Sequence, residues 1–211
     1  MFNENLNNKN KLKKYFGLAN VDFIITSTSK VVKIKGVFYI VKAFYHFLLN
    51  SKFDKRIKLV ISNIPTDGDY TEIDKINKFI NEKKINDYVK FLGMINQNKI
   101  ADLLKITDIW TSMAIHSNAG SALYEAMSSK NIVIASNVGG TKDIIINNRN
   151  GFLVPDSDFK TLSKLFLDIY KNYSKYDYIG VNARNFIVNN YSWDKRIEKE
   201  IEIYNQVLKI K

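Results

Sequence analysis

Apolar residues recur along this chain with two alternating periods. The continuous run Asp22-Phe23-Ile24-Ile25-Thr26 reads as a first strand, followed by a polar loop from Ser27 to Gly36. From Val37 the spacing changes, and Val37, Ile40, Val41, Phe44 and Leu48 fall on one face of a helix. Arg56 to Ile61 is a second strand, closed by the turn-rich Pro65-Thr66-Asp67-Gly68, and the helix Thr71 to Glu82 carries Ile73, Ile76 and Ile80 on one side. Tyr88 to Leu92 makes a third strand ending at Gly93. A helix from about Asn98 to Ile106 and a strand at Ile109 to Ser112 continue the alternation. The small turn Ala119-Gly120-Ser121-Ala122 then opens onto the helix-prone Leu123 to Met127, Ile132 to Ser136 reads as a buried strand, and Asn137 to Thr141 as a flexible turn.

The last third holds a turn and short strand at Asn150 to Pro155, a helix capped by Asp158 and running to about Tyr173, and helices at Tyr178 to Val188 and Ser192 to Ile210. A short basic helix around Lys11 to Phe16, stopped by Gly17, precedes the first strand. Repeated βα units with short connections imply an α/β fold: a Rossmann-like, mostly parallel sheet with helices on both faces. The expected organisation is a lead-in over 1–20, the α/β domain over 21–190 and a C-terminal helix over 191–211.

Composition narrows the partners. The chain has 211 residues, 45% of them hydrophobic, which suffices for one sizeable core. Its net charge is +11, from 32 Lys and Arg against 21 Asp and Glu. Two readings of that excess stay open, a generally basic solvated surface or a dedicated patch for polyanions. Cysteine is absent and histidine is limited to His46 and His116, so neither disulfides nor a zinc centre is expected. Met1 to Lys14 lacks the apolar core of a signal peptide, and the most apolar stretch, Val37 to Leu49, is broken by Lys42 and His46; a cytoplasmic setting is the expectation.

The candidate chemistry gathers between His116 and Asp143. The turn at Gly120, Ser121 and Ala122 presents free backbone N–H groups where a helix begins, which is an anion site. Glu125 lies in the first turns of that helix, placed to accept hydrogen bonds from neutral hydroxyls, or to serve only as a carboxylate near the positive end of the helix dipole. His116 precedes the turn and either donates to a ligand or is structural. Lys30 and Lys35, five apart after the first strand, project from the carboxyl edge of the sheet toward the same crevice. There they would neutralise a diphosphate, unless they are ordinary loop lysines. Trp110 and most other aromatics read as core.

Several segments together resemble the C-terminal, nucleotide-sugar-binding domain of retaining GT-B glycosyltransferases of the family 4 type. Ser29 to Gly36 is similar to the family's Gly-Arg-Leu-x-x-x-Lys-Gly loop. Lys35 matches its Lys, and Lys30 replaces its Arg, keeping the charge without the bidentate fork. Val89-Lys90-Phe91-Leu92-Gly93 resembles the strand and turn that lie against the nucleotide base. Glu125-Ala126-Met127 resembles the second half of a Glu-x7-Glu signature. Ala135 to Asp143, Asn150 to Val154 and Tyr191-Ser192-Trp193 resemble the segments that follow. The match covers nearly the whole chain.

The resemblance implies the C-terminal half of a GT-B fold and transfer of a sugar, with retention, from a nucleoside-diphosphate sugar to an acceptor hydroxyl. UDP- and GDP-sugars are the expected donors, with no cofactor and no metal. It implies donor contacts at Lys30, Lys35, Phe91, Leu92, His116, Gly120, Ser121, Ala122 and Glu125, with Lys30, Lys35 and Ser117 at the catalytic positions. Ser117 stands eight residues before Glu125, where the family carries its first Glu; Met113-Ala114 replaces the common Pro-Ser, and Asp143 the usual Glu. The family's N-terminal acceptor-binding domain has no counterpart here. The expected partners are therefore the donor and a missing or separate acceptor domain, with peripheral contact at the inner face of a membrane by analogy and no nucleic acid. The alternative function is a non-catalytic nucleotide-sugar-binding or docking module that works with a separate acceptor domain.

Overall fold

The computed structural model describes residues 6–62, 70–116 and 119–209; the turn expected at Pro65 to Gly68 and the candidate Ser117 lie outside them. A basic helix α1 (Leu6–Tyr15) leads into β1 (Phe23–Ser27), and the chain then alternates through α2 (Val37–Asn50), β2 (Ile57–Ile61), α3 (Thr71–Glu82), β3 (Val89–Phe91), α4 (Gln97–Lys105) and β4 (Ile109–Ser112). It continues through α5 (Ser121–Ser128), β5 (Ile132–Ser136), the short α6 (Thr141–Ile144), β6 (Phe152–Val154), α7 (Phe159–Lys171), α8 (Tyr173–Tyr191) and α9 (Trp193–Lys209). The six strands form one sheet in the order β3-β2-β1-β4-β5-β6, every pair parallel. The expected parallel α/β architecture is thus observed.

Successive residues of the inner strands point to opposite faces, and each face has its own layer. Ile25, Leu59 and Ile61 meet Val37, Val41, Phe44 and Phe47 of α2 and Phe166 of α7 on one side. On the other, Ile24 and Val60 pack against Leu103, Ile106 and the lead-in residues Phe16 and Leu18. Continuous apolar runs are what a sheet covered on both faces requires. Helix α8 begins five residues earlier than the apolar pattern places it. Within it Gly180 allows close packing: a Cβ there would lie 2.1 Å from the Lys130 carbonyl oxygen. Asp158 caps α7 as expected, accepting from the Lys160 and Thr161 N–H groups at 3.1 and 3.0 Å.

At the amino end of β4, Asp108 stitches neighbouring strands together. Its carboxylate accepts the Ile24 N–H at 2.7 Å, and its own N–H donates to the Ile24 carbonyl at 2.9 Å. The group keeps a sliver of exposed surface but sits deep among protein atoms, and burial pushes its pKa up to about 6 against the pull of the Ile24 N–H and Lys13. A folded-state pKa above the unfolded value of 3.8 means that the folded protein keeps the proton longer. Stability is then highest below the unfolded pKa and falls as the pH rises through about 6. Asp108→Asn should abolish that decline, leaving the variant more stable than the parent at pH 7.5 by on the order of 1–2 kcal/mol and nearly level with it at pH 4. Urea melts of both proteins at the two pH values check this; a variant weaker at both would show that the charge itself holds the strands.

Candidate functional site

The chain leaves β1 and β4 in opposite directions across the sheet, β1 feeding α2 and β2 on one side and β4 feeding α5 and β5 on the other. The crevice between two such departures is where open parallel sheets receive ligands. One wall is the loop after β1, which closes on a 3₁₀ turn at Lys33–Lys35. Gly36 ends that turn with φ of 65°, and a Cβ there would stand 1.8 Å from the Met113 carbonyl oxygen. The Ile115 N–H donates to the Ile34 carbonyl at 2.9 Å. The two loops are thereby fastened to each other, and Lys35 is set half-buried in the crevice wall while Lys30 and Lys33 stay exposed.

The opposite wall is the start of α5. Gly120 is its N-cap, extended with φ of −68° and ψ of 165°, and among the described residues no side chain caps the helix. Among the described residues no partner takes the N–H groups of Ser121 and Ala122, while that of Leu123 donates to the Gly120 carbonyl at 3.0 Å; Gly120, Ala122 and Leu123 line the crevice. Ala119, just before, holds φ of 50°, a left-handed conformation that costs a residue with a Cβ about 1–3 kcal/mol. The floor comes from strand ends. The Trp110 indole N–H donates to Thr28 Oγ1 at 2.9 Å, Ser29 and Ser112 meet at 3.5 Å, and Ser136 Oγ donates to the Ala114 carbonyl at 2.5 Å. With Thr141 and Ala135 these residues enclose about 70 Å³. Such a volume suits a small, strongly solvated group, and its lining offers one cation, hydroxyls and helix N–H groups.

The expected residues divide into three sets. Lys35, Gly120 and Ala122 come together at this crevice. Ser121 and Glu125, on the other side of α5's first turns, line a separate groove of about 920 Å³ with Gln97, Leu104, Tyr124 and Trp193. Lys30 and His116 are exposed and outside both, and Phe91 and Leu92 are half-buried at the end of β3. Ser29, Trp110, Ser112, Ser136 and Thr141 line the crevice without having been singled out. Their signal was available: Ser29, Ser112 and Ser136 each stand at or just beyond the end of an apolar run, where a hydroxyl reaches the carboxyl edge of the sheet.

Gly36→Ala should be severe, since both the positive φ and the Met113 carbonyl oppose a Cβ. A loss of at least about 2 kcal/mol in urea unfolding is expected. Any folded fraction should also have lost affinity for diphosphate ligands in calorimetry, because Lys35 moves with the turn.

The fold has counterparts among known proteins. The chain is 26% identical over 199 residues to N-acetyl-alpha-D-glucosaminyl L-malate synthase of Bacillus anthracis, an alignment covering 94% of this chain and 49% of the synthase. More generally, the chain spans about half the length of the curated relatives it matches first. Among solved structures, the Anabaena protein HepE in complex with UDP-glucose superposes with a TM-score of 0.85 at 19% identity, covering 96% of this chain and 54% of that one. The C-terminal domain of a glycosyl transferase group 1 family protein from Francisella tularensis superposes at 0.78 with 21% identity, covering 88% of this chain and 93% of that domain. The profile of the family described as glycosyl transferases group 1 matches residues 8–186. The chain belongs to that family, and its fold is that of a GT-B C-terminal domain.

Proposed function

We propose that the chain is the donor-binding half of a glycosyltransferase that moves a sugar from a nucleoside-diphosphate sugar to an acceptor hydroxyl with retention of configuration. The convergence of Lys35 and the uncapped start of α5 on one crevice at the β1–β4 switch point carries this reading. The donor diphosphate lies against Lys35 and the N–H groups of Gly120, Ser121 and Ala122, which stabilise the negative charge that grows on the departing nucleotide. Lys30, exposed on the same loop, closes over the distal phosphate, while Glu125 accepts from the ribose hydroxyls and the backbone at Phe91 and Leu92 borders the base. UDP is the better-supported nucleotide, because the Anabaena structure of the same fold is a complex with UDP-glucose.

The acceptor belongs to a second domain, and α9 supports the presence of one. Its 17 residues carry Trp193, Ile197, Ile201, Tyr204 and Leu208 on one stripe, with Trp193 73% and Leu208 69% exposed. A stripe of that kind is covered in a finished fold. Ser117 in place of the family's first Glu favours a second reading, in which the chain binds the nucleotide sugar without catalysing transfer.

Calorimetric titration with UDP, GDP and their glucose and mannose forms tests the donor site. One diphosphate should bind with 1:1 stoichiometry, and Lys35→Ala and Glu125→Ala should each weaken it by about tenfold or more. A folded chain that binds none of them ends this proposal. Deleting residues 193–211 gives an independent check on α9. Because this helix packs chiefly on α8, the melting temperature should fall by less than about 3 °C. A large loss would instead make α9 part of the domain's own core.

A further inference from the structure

We propose that the groove between α4–α5 and α8–α9 is a second binding site, whose ligand is a single apolar chain ending in a phosphate or diphosphate. The groove encloses about 920 Å³, a volume typical of specific ligand sites. Its floor and inner wall are apolar, built from Leu104, Tyr124, Ile187, Val188 and Tyr191. The rings of Tyr124 and Tyr191 pack at 5.4 Å, and burial pushes the Tyr124 hydroxyl above its ordinary pKa, as in a poorly hydrated surface. A free, fully hydrated anion gains nothing from such a floor.

The outer wall has the opposite character. Lys195, Arg196 and Lys199 line it from the first two turns of α9, with Trp193 beneath Arg196 at 5.3 Å. Lys195 pairs with Glu198 at 2.6 Å and Arg196 with Glu200 at 2.8 Å, but all four side chains are about half exposed, and such pairs along a helix exchange readily for a stronger anion. Among the described residues no carboxylate lies within ion-pair distance of Lys199. Glu125 is the acidic member of the groove and stands on α5, away from this wall. A neutral apolar ligand would leave the three cations unused, whereas a phosphate-terminated chain satisfies both walls.

The shape and charge of α9 disfavour other occupants. Of the stripe assigned to a second domain only Trp193, at its start, enters the groove; Ile197, Ile201, Tyr204 and Leu208 are absent from the lining and point elsewhere. A second copy pairing along α9 would bring Glu198 and Glu200, which flank the stripe, against their own counterparts. A flat bilayer does not fill a concave groove, and the acidic and basic residues of α9 balance at four each. The groove and the crevice share α5's first turns as a common wall: Gly120 and Ala122 face one, Ser121 and Glu125 the other. Ser121 and Glu125, which the donor reading uses, border the groove on the α5 side, while the cations of this second site stand on α9 and are not used by that reading.

The test is calorimetric titration of the full chain with decyl phosphate below its micelle concentration, alongside decyl glucoside, inorganic phosphate, farnesyl diphosphate and phosphatidylglycerol vesicles. Decyl phosphate and farnesyl diphosphate should bind 1:1, with the neutral glucoside and inorganic phosphate each at least about tenfold weaker. Lys195→Ala with Lys199→Ala should weaken both chains by about tenfold or more while leaving UDP affinity and the circular-dichroism melt unchanged. Equal affinity for the glucoside, undiminished binding by the double variant, or vesicle binding stronger than that of the free chains would overturn the proposal.

Discussion

The close approach of Gly36 to the Met113 carbonyl is the contact on which the rest of the structure turns. Gly36 ends the lysine-bearing turn and begins α2, whose next residue, Val37, is already fully buried. The crevice and the larger core therefore cannot move independently. Phe44 and Phe47 of α2 and Phe166 of α7 fix the helix against the sheet, the helix fixes Gly36, and Gly36 fixes Lys35. Core packing at interior density is hard to deform by a fraction of an ångström, which gives a loop lysine the positional stability of a strand residue.

Helix α5 distributes chemistry to two sides. Its axis ends at the switch point, so its dipole and its uncapped N–H groups serve the polar crevice. Its flank, one turn on, presents Tyr124 to an apolar groove about thirteen times larger by volume. Helical geometry makes that division automatic, because consecutive residues lie about 100° apart and neighbours in sequence face different surroundings. The small residues at 119, 120 and 122 keep the crevice side open, at the expense of a strained backbone at Ala119.

Much of this was legible in the chain because parallel sheets demand what periodicity detects. Helix α3 has the expected bounds at both ends, and so does β4, since each combines an unbroken apolar pattern with polar punctuation. The pairing of Lys35 with Gly120 was also accessible, from the rule that loops at the carboxyl edge meet. Two kinds of feature were hidden. Gly180 and Gly36 are set by backbone contacts with residues far away in sequence, which no local pattern reports. The separation of Glu125 from Gly120 depends on which way each side chain turns from the same helix, and a residue count places both simply near its start. Trp110 reads as core from the sequence and is buried, but its indole also floors the crevice; core packing and the crevice share that ring.

The openness of the crevice bears on why one domain of this kind would bind a donor more readily than it would react with it. Gly120 is exposed, so a phosphate beside Lys35 remains largely in water. Two unit charges 4 Å apart interact by about 1 kcal/mol in bulk water and by about 4 kcal/mol at the effective dielectric near a protein surface. Covering the crevice would lower the effective dielectric further and strengthen the contact between lysine and departing phosphate, and each gain of about 1.4 kcal/mol at the transition state is about tenfold in rate. The helix N–H groups gain in the same way. A second domain resting on the stripe of α9 and overhanging α5 would supply that enclosure as well as the acceptor, so the same closure that brings the hydroxyl to the sugar would raise the electrostatic stabilisation of the group that leaves it.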